Sequence, residues 1–186
     1  QVSSENYVQT TERISDTQVL STTEYYDGLG RPFEMVEQKK TPDGANLIHL
    51  KEYDGLGRDW KTWLPVKDAS DFLSISAARS QGNNQYRDSH AFSLTEYDGS
   101  PLNRINTVEG VGAEWTSHPV KKDYLVNTSK YPLNCKYYRV SMQGQLQDKG
   151  YYPEGRLYVT KTTDENGNES YELKNIAGNV ILKRTI

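Results

Sequence analysis

The chain has 186 residues and a mass of 21.2 kDa, with 22 basic against 25 acidic side chains and a formal charge of −3. A pI near 5.7 excludes bulk attraction to nucleic acid or to an anionic membrane, and no run approaches the ~20 apolar residues of a transmembrane helix. One cysteine, Cys135, excludes an intrachain disulfide and a cysteine-cluster metal site, while 14 Tyr beside few aliphatic residues describe a folded chain with a thin, Tyr-rich core.

In chain order, β-prone runs occupy 5–13, 20–26, 32–38, 46–53 and 60–64, with TPDG (41–44) reading as a turn. In the outgoing run PFEMVEQ, Phe33 and Met35 take one face and Glu34 and Gln38 the other, with Val36 breaking the polar side. Residues 68–81 break the strand pattern. Phe72, Ile75, Ala77 and Ala78 recur at helical spacing, and Asp68 or Ser70 is placed to cap, so one short helix is expected near 70–80. QGNNQYRDS (81–89) reads as an exposed loop. Further strands are expected at 93–97, 103–109, 123–127, 135–142, 156–163, 169–174 and 179–184. The fold class is mostly β: an antiparallel curved sheet of consecutive hairpins with one short helix. The whole of 1–186 reads as one β-rich unit, divisible into sub-blocks 1–127 and 128–186.

Repeats punctuate these strands. YDGLGR stands at 26–31 (Tyr26, Asp27, Gly28, Gly30, Arg31) and again at 53–58 (Tyr53, Asp54, Gly55, Gly57, Arg58). YDGSPLNR at 97–104 carries Tyr97, Asp98 and Arg104. Looser units follow in YYPEGRL (Gly155, Arg156), DENGNE (Asn166, Gly167) and IAGNV (Gly178). An Asp at the head of such a motif can accept a backbone hydrogen bond two residues on. Gly28 and Gly30 both tolerate positive φ. Asn166-Gly167 between β-prone runs reads as a type I′ hairpin turn.

Catalytic and metal patterns are weak beside these turns. His49, His90 and His118 show no metal-ligand spacing. Cys135 has only Lys136 to activate it and reads as a small buried residue. Asp164, Asn166 and Asn168 fill the first three ligand positions of a calcium loop, but Glu169 stands where that loop needs Gly and Asn175 where it needs Glu. The pairs Gly28/Gly30 and Gly110/Gly112 do not continue into a phosphate-binding motif. Neither a cofactor nor a catalytic set is expected. Trp60, Trp63 and Trp115 are candidate binding aromatics, with core filling and cross-strand pairing as the alternative. The post-turn arginines Arg31, Arg58, Arg104 and Arg156 are expected to pair with acidic groups or pack on neighbouring rings.

The Tyr-Asp pair, the Gly-containing turn and the Arg before the next strand resemble the RHS/YD-repeat proteins. YDGSPLNR, GAEW and HPVKKDY (97–104, 112–115, 118–124) are similar to the segment ahead of the repeat array in Bacteroidetes-type members, a family domain of unknown function. The resemblance spans residues 6–186. It implies hairpins joined edge to edge into a sheet that, in full-length relatives, forms a hollow shell around a toxic C-terminal domain. It also implies a secreted or cell-surface setting. The expected partners are further YD repeats of the same polypeptide and an enclosed C-terminal domain, with weak self-association through sheet edges. The chain is too short to close a shell, lacks the self-cleaving aspartate motif and ends within a repeat-like strand, so a fragment of a larger array is expected. The expected function is therefore a non-catalytic scaffold segment, with an extracellular glycan- or protein-binding module as the alternative.

Overall fold

The computed structural model describes residues 5–16 and 18–186. Its elements are β1 (Asn6–Arg13), β2 (Val19–Tyr26), β3 (Pro32–Glu37), β4 (Asn46–Tyr53), β5 (Asp59–Trp63), β6 (Val66–Asp68), α1 (Ile75–Tyr86), β7 (Phe92–Tyr97) and β8 (Ile105–Glu109). A short 3-10 turn (Ala113–Ser117) leads to β9 (Val120–Val126), β10 (Lys136–Val140), β11 (Leu146–Tyr151), β12 (Tyr158–Thr163), β13 (Glu169–Lys174) and β14 (Val180–Thr185). The fold is mostly antiparallel β with a single α-helix, the expected class. The chain packs as two compact units: residues up to Glu96 with Glu109–Ser117, and Tyr97–Val108 with His118–Ile186. The division falls in the Tyr97–Ser117 stretch.

In the first unit the strands follow the order β1-β2-β3-β4-β5-β7, and β6 pairs with β4. β4 alternates strictly: Asn46, Ile48, Leu50 and Glu52 are buried, and the residues between them are half-buried. Tyr25, Phe33, Val36, Ile48, Leu50, Trp63, Val66, Ala78, Ala91 and Phe92 form the core. The strict alternation expected for β3 is broken. Tyr26 pairs with Pro32 but Tyr25 pairs with Glu34, so Phe33 is an extra, bulged residue. The bulge interrupts the period-2 pattern: Phe33 and Val36 are buried, and Glu34, expected on the polar face, is buried with them at 2% exposure.

The helix lies further along the chain than 70–80. Ser74 is the N-cap, its hydroxyl accepting from the Ala77 N–H, and Asp68 instead caps a turn through the Ser70 N–H. Residues 81–86 are helical rather than looped, and the reason is tertiary. Gly82 faces the buried Trp63 ring, where a Cβ would meet Cε3 at 3.3 Å. Gln81 donates to the Lys67 carbonyl, Gln85 accepts from the Lys67 N–H, and the Tyr86 hydroxyl donates to the Pro65 carbonyl. These contacts override the poor helix propensity of Gly-Asn-Asn.

In the second unit the order is β8-β9-β12-β13-β14, and β10 and β11 form a separate hairpin. Its core is Cys135, Leu157, Val159, Tyr171 and Leu173. Neither β6 nor β11 is visible in the sequence: β6 has three residues, and β11 (LQDKGY) lacks β-branched residues and buries none of its side chains. Asn127, fully buried, ties the end of β9 to the segment before β12. Its Oδ1 accepts from the Arg156 and Leu157 N–H groups at 2.9 and 2.8 Å, and its Nδ2 donates to the Pro153 carbonyl at 2.9 Å. Arg184 on β14 holds the 131–134 segment through the Pro132 and Asn134 carbonyls, with its guanidinium 4.9 Å from the Tyr131 ring centre. Asn127→Ala strands two backbone donors, that of Leu157 buried, and an acceptor. It is expected to cost about 2–4 kcal/mol, read as a lower midpoint in urea unfolding.

Candidate functional site

The repeated motif is the candidate site, and the structure resolves it into one turn used six times among the described residues. The turns run 27–31, 41–45, 54–58, 141–145, 164–168 and 175–179. In each, the first residue's N–H donates to the carbonyl of the fifth and the fourth residue's N–H donates to the carbonyl of the first, at 2.8–3.1 Å. The fourth residue is always Gly, with φ between 76° and 85°. This is a type I turn closed by a left-handed glycine, the three-residue hairpin connection. Two expectations are corrected. Gly28 and Gly55 do not have positive φ, whereas Gly30 and Gly57 do. Asn166-Gly167 is not type I′, because only Gly167 of the pair is left-handed.

The first residue is the keystone. Asp27, Asp54, Asp164 and Asn175 each accept, on Oδ1, the N–H groups two and four residues on, at 2.8–3.0 Å. Three of the four fifth residues then reach back to Oδ2: Arg31 Nε at 2.8 Å, Arg58 Nε at 2.7 Å and Asn168 Nδ2 at 2.8 Å. Asp98 and Arg104 make the same clamp across a longer loop, Nε to Oδ2 at 2.7 Å. The Asp164 oxygens are thereby spent on the turn's own donors, in keeping with the poor fit to a calcium loop. Gly155 also has positive φ, but its segment has no Asp at the head, and Asn127 supplies the accepting oxygen from β9.

The arginines reach across strands as well. Arg31 lies over the Tyr53 ring, 4.5 Å from its centre, and the Tyr53 hydroxyl donates to the Pro32 carbonyl at 2.6 Å. In the second unit Arg104 lies 4.8 Å over Tyr124, whose hydroxyl donates to the Ile105 carbonyl at 3.0 Å. In both cases a turn arginine covers the tyrosine of the next strand, and that tyrosine binds the carbonyl just after the arginine. Tyr26 instead donates to Glu24.

Other sites are scattered. His49 meets Glu37 at 3.1 Å, and His90 lies 3.4 Å from Glu109 while stacking on Phe92. His118 is exposed. Burial pushes the Cys135 thiol up, with Arg184 pulling it the other way. Among the described residues no group of three or more His, Cys, Asp or Glu side chains is placed to hold a metal ion. No helix there is long and apolar enough to cross a membrane. Trp63 is buried, its indole N–H bound to Glu52 at 2.7 Å. Trp60 is a bulge residue like Phe33 and lies beside Lys61, 4.2 Å from the ring centre. Trp115 is 48% exposed beside Gly110 and Gly112. A cleft of about 740 Å³ lies between the 27–31 turn and the start of α1, walled by Phe33, Tyr53, Phe72 and Ile75 with Arg31 and Arg79. The motif reading missed the Ser141 turn, although Ser-x-x-Gly repeats the spacing of Asn175-x-x-Gly178. It also missed Asn127, Glu34 and the Glu52–Arg79 pair, for which no local pattern exists.

Two tests follow from the turn. Gly30→Ala forces a side chain into positive φ and is expected to cost about 1–2 kcal/mol. Gly28→Ala, with no atom within 4 Å of the added Cβ, is expected to be neutral or slightly stabilising in thermal unfolding. The carboxyls of Asp27, Asp54, Asp98 and Asp164 lie below their ordinary 3.8, held there first by the Arg31 and Arg58 N–H groups, the Ser100 hydroxyl and the Asn168 amide respectively. A lowered value in the folded state means that this stabilisation is complete above the ordinary value and is lost as pH falls through the lowered one. Melting temperature is expected to fall below about pH 4, and to fall less in an Asp27→Asn/Asp54→Asn variant.

No curated protein and no solved structure shows significant similarity to the chain. A family model does match: residues 1–126, about two thirds of the sequence, fit the family described as Domain of unknown function (DUF6443), and the chain belongs to that family.

Proposed function

We propose that the chain is a non-catalytic scaffold segment of a larger, secreted or surface RHS/YD-repeat protein of the Bacteroidetes type. It lies on the N-terminal side of the repeat array and forms part of a β-sheet wall that encloses or presents another domain. The observation that carries this reading is where the repeated polar groups are spent. The motif carboxylates accept their own turn's N–H groups and bind their own turn's Arg or Asn. The motif is thus a device for making hairpins in series, and a device used six times suits a wall better than a single catalytic centre. β1 and β14 end the strand order, and such edges accept further strands, here further repeats of the same polypeptide. The same edges account for weak self-association of the segment by itself.

The 740 Å³ cleft with its three aromatic walls favours a second reading, an extracellular glycan- or protein-binding module. One experiment separates the two: the intact mass of the native polypeptide carrying this segment, in cell, surface and medium fractions. The scaffold reading expects a product several times larger than 21.2 kDa in the surface or medium fraction. A product close to that mass overturns it and leaves the binding module.

A further inference from the structure

We infer that residues 69–74 form a pH-governed strap over the first unit's sheet, held closed by Glu34 while its carboxyl is protonated and released as it ionises. The strap is an irregular segment between β6 and α1. Side chains from three strands fasten it. From β2, the Tyr25 hydroxyl donates to the Asp71 carbonyl at 2.7 Å. From β4, Asn46 Nδ2 donates to the Ser70 carbonyl at 2.9 Å and to Asp71 Oδ1 at 3.2 Å. From β3, Glu34 Oε1 accepts the Leu73 N–H at 3.0 Å. Phe72, in the middle of the strap, stacks on Tyr25 with ring centres 4.9 Å apart, and Phe72 and Ser74 wall the cleft.

Glu34 is the fastening that titrates. It is 2% exposed, and its second oxygen, Oε2, is buried with no hydrogen-bond partner. A buried carboxylate with one oxygen unsatisfied is costly, and the neutral acid much less so. The Leu73 N–H relieves this in part, and the other groups around it do not. Tyr25 lies opposite on β2 and Leu50 opposite on β4. Asp71 in the strap is a second acid. Glu52, two residues beyond Leu50, engages Arg79 and Trp63, so that guanidinium is committed. Burial accordingly raises the Glu34 carboxyl to about 7. The sign follows: closure is fully favoured below the ordinary 4.5 and loses that favour as pH rises to about 7. Lifting the strap hydrates the carboxylate and opens one wall of the cleft.

Hydrogen exchange of the 186-residue chain, corrected for intrinsic exchange, tests this. The Leu73 amide is expected to be less protected than those of Val36 and Ile48 at every pH, which marks local opening. Its protection is expected to fall by up to about tenfold per pH unit between about 4.5 and 7 and to level off above. In Glu34→Gln the profile is expected to be flat. A flat wild-type profile, the same slope in the variant, or Leu73 protection equal to that of Val36 and Ile48 throughout overturns the proposal. If the variant does not fold, carboxyl carbon NMR of the wild type decides. A Glu34 midpoint near 7, shared by the Leu73 amide shift, supports the strap; a midpoint in the ordinary carboxylate range overturns it.

Discussion

One oxygen atom accepting two backbone N–H groups is the interaction on which most of this structure depends. When Asp27 Oδ1 takes the donors of Leu29 and Arg31, the chain has already turned, and only a residue in left-handed conformation closes it. That residue is Gly30. The two strands then leave the turn antiparallel in a fixed register, without waiting for distant contacts. A chain short of aliphatic residues profits from such local instruction, because each hairpin is specified before its modest apolar area is buried. Arg31 and Arg104 extend the instruction by one strand, each laid over the tyrosine that follows on the neighbouring strand. Motif residues therefore serve two scales: the acid shapes the turn and the arginine registers the next hairpin.

The turn also brings its own distortion. Pairing slips by one residue just after the 27–31, 54–58 and 175–179 turns, at Phe33, Trp60 and Ile181. The equivalent position bulges in these three, whereas the 164–168 and 141–145 turns lead into regular pairing there. The bulge twists the strand leaving the turn and breaks its alternation, so that in β3 Phe33 and Glu34 are both buried. Glu34 is buried for this reason, not because the sequence pattern marks it as an inner residue.

That break in alternation explains which parts of the fold are legible. The strands flanking YDGLGR can be read because turn chemistry and β-propensity agree there. The type of turn can be read only in part: Gly28 and Gly30 look alike as letters, and only the hydrogen-bond frame around Asp27 tells which one must be left-handed. The faces of β3 cannot be read, since a single extra residue buries the neighbours Phe33 and Glu34 together. The 81–86 stretch looks like a loop because its helix is held from outside, by Trp63 against Gly82 and by Gln81, Gln85 and Tyr86 on the β6 side. Asn127 is invisible for the same kind of reason, since it completes a turn that lies 29 residues away.

The two buried acids of the first unit show how differently a thin core handles charge. Glu52 is buried with a guanidinium and an indole N–H bound to it, so its carboxylate is compensated where it stands and fixes α1 and β5 to β4. Glu34, two strand positions away on the neighbouring strand, has one backbone donor and an oxygen with none. A buried carboxylate is costly unless it is paired, and of the two only Glu52 has a cation bound to it. The same sheet face thus carries one compensated acid and one that is sensitive to its own ionisation. The sensitive one lies beneath a segment joined to the sheet by only a few side-chain bonds, so the energetic penalty of Glu34 is relieved by moving residues 69–74 rather than by unfolding the strands around it.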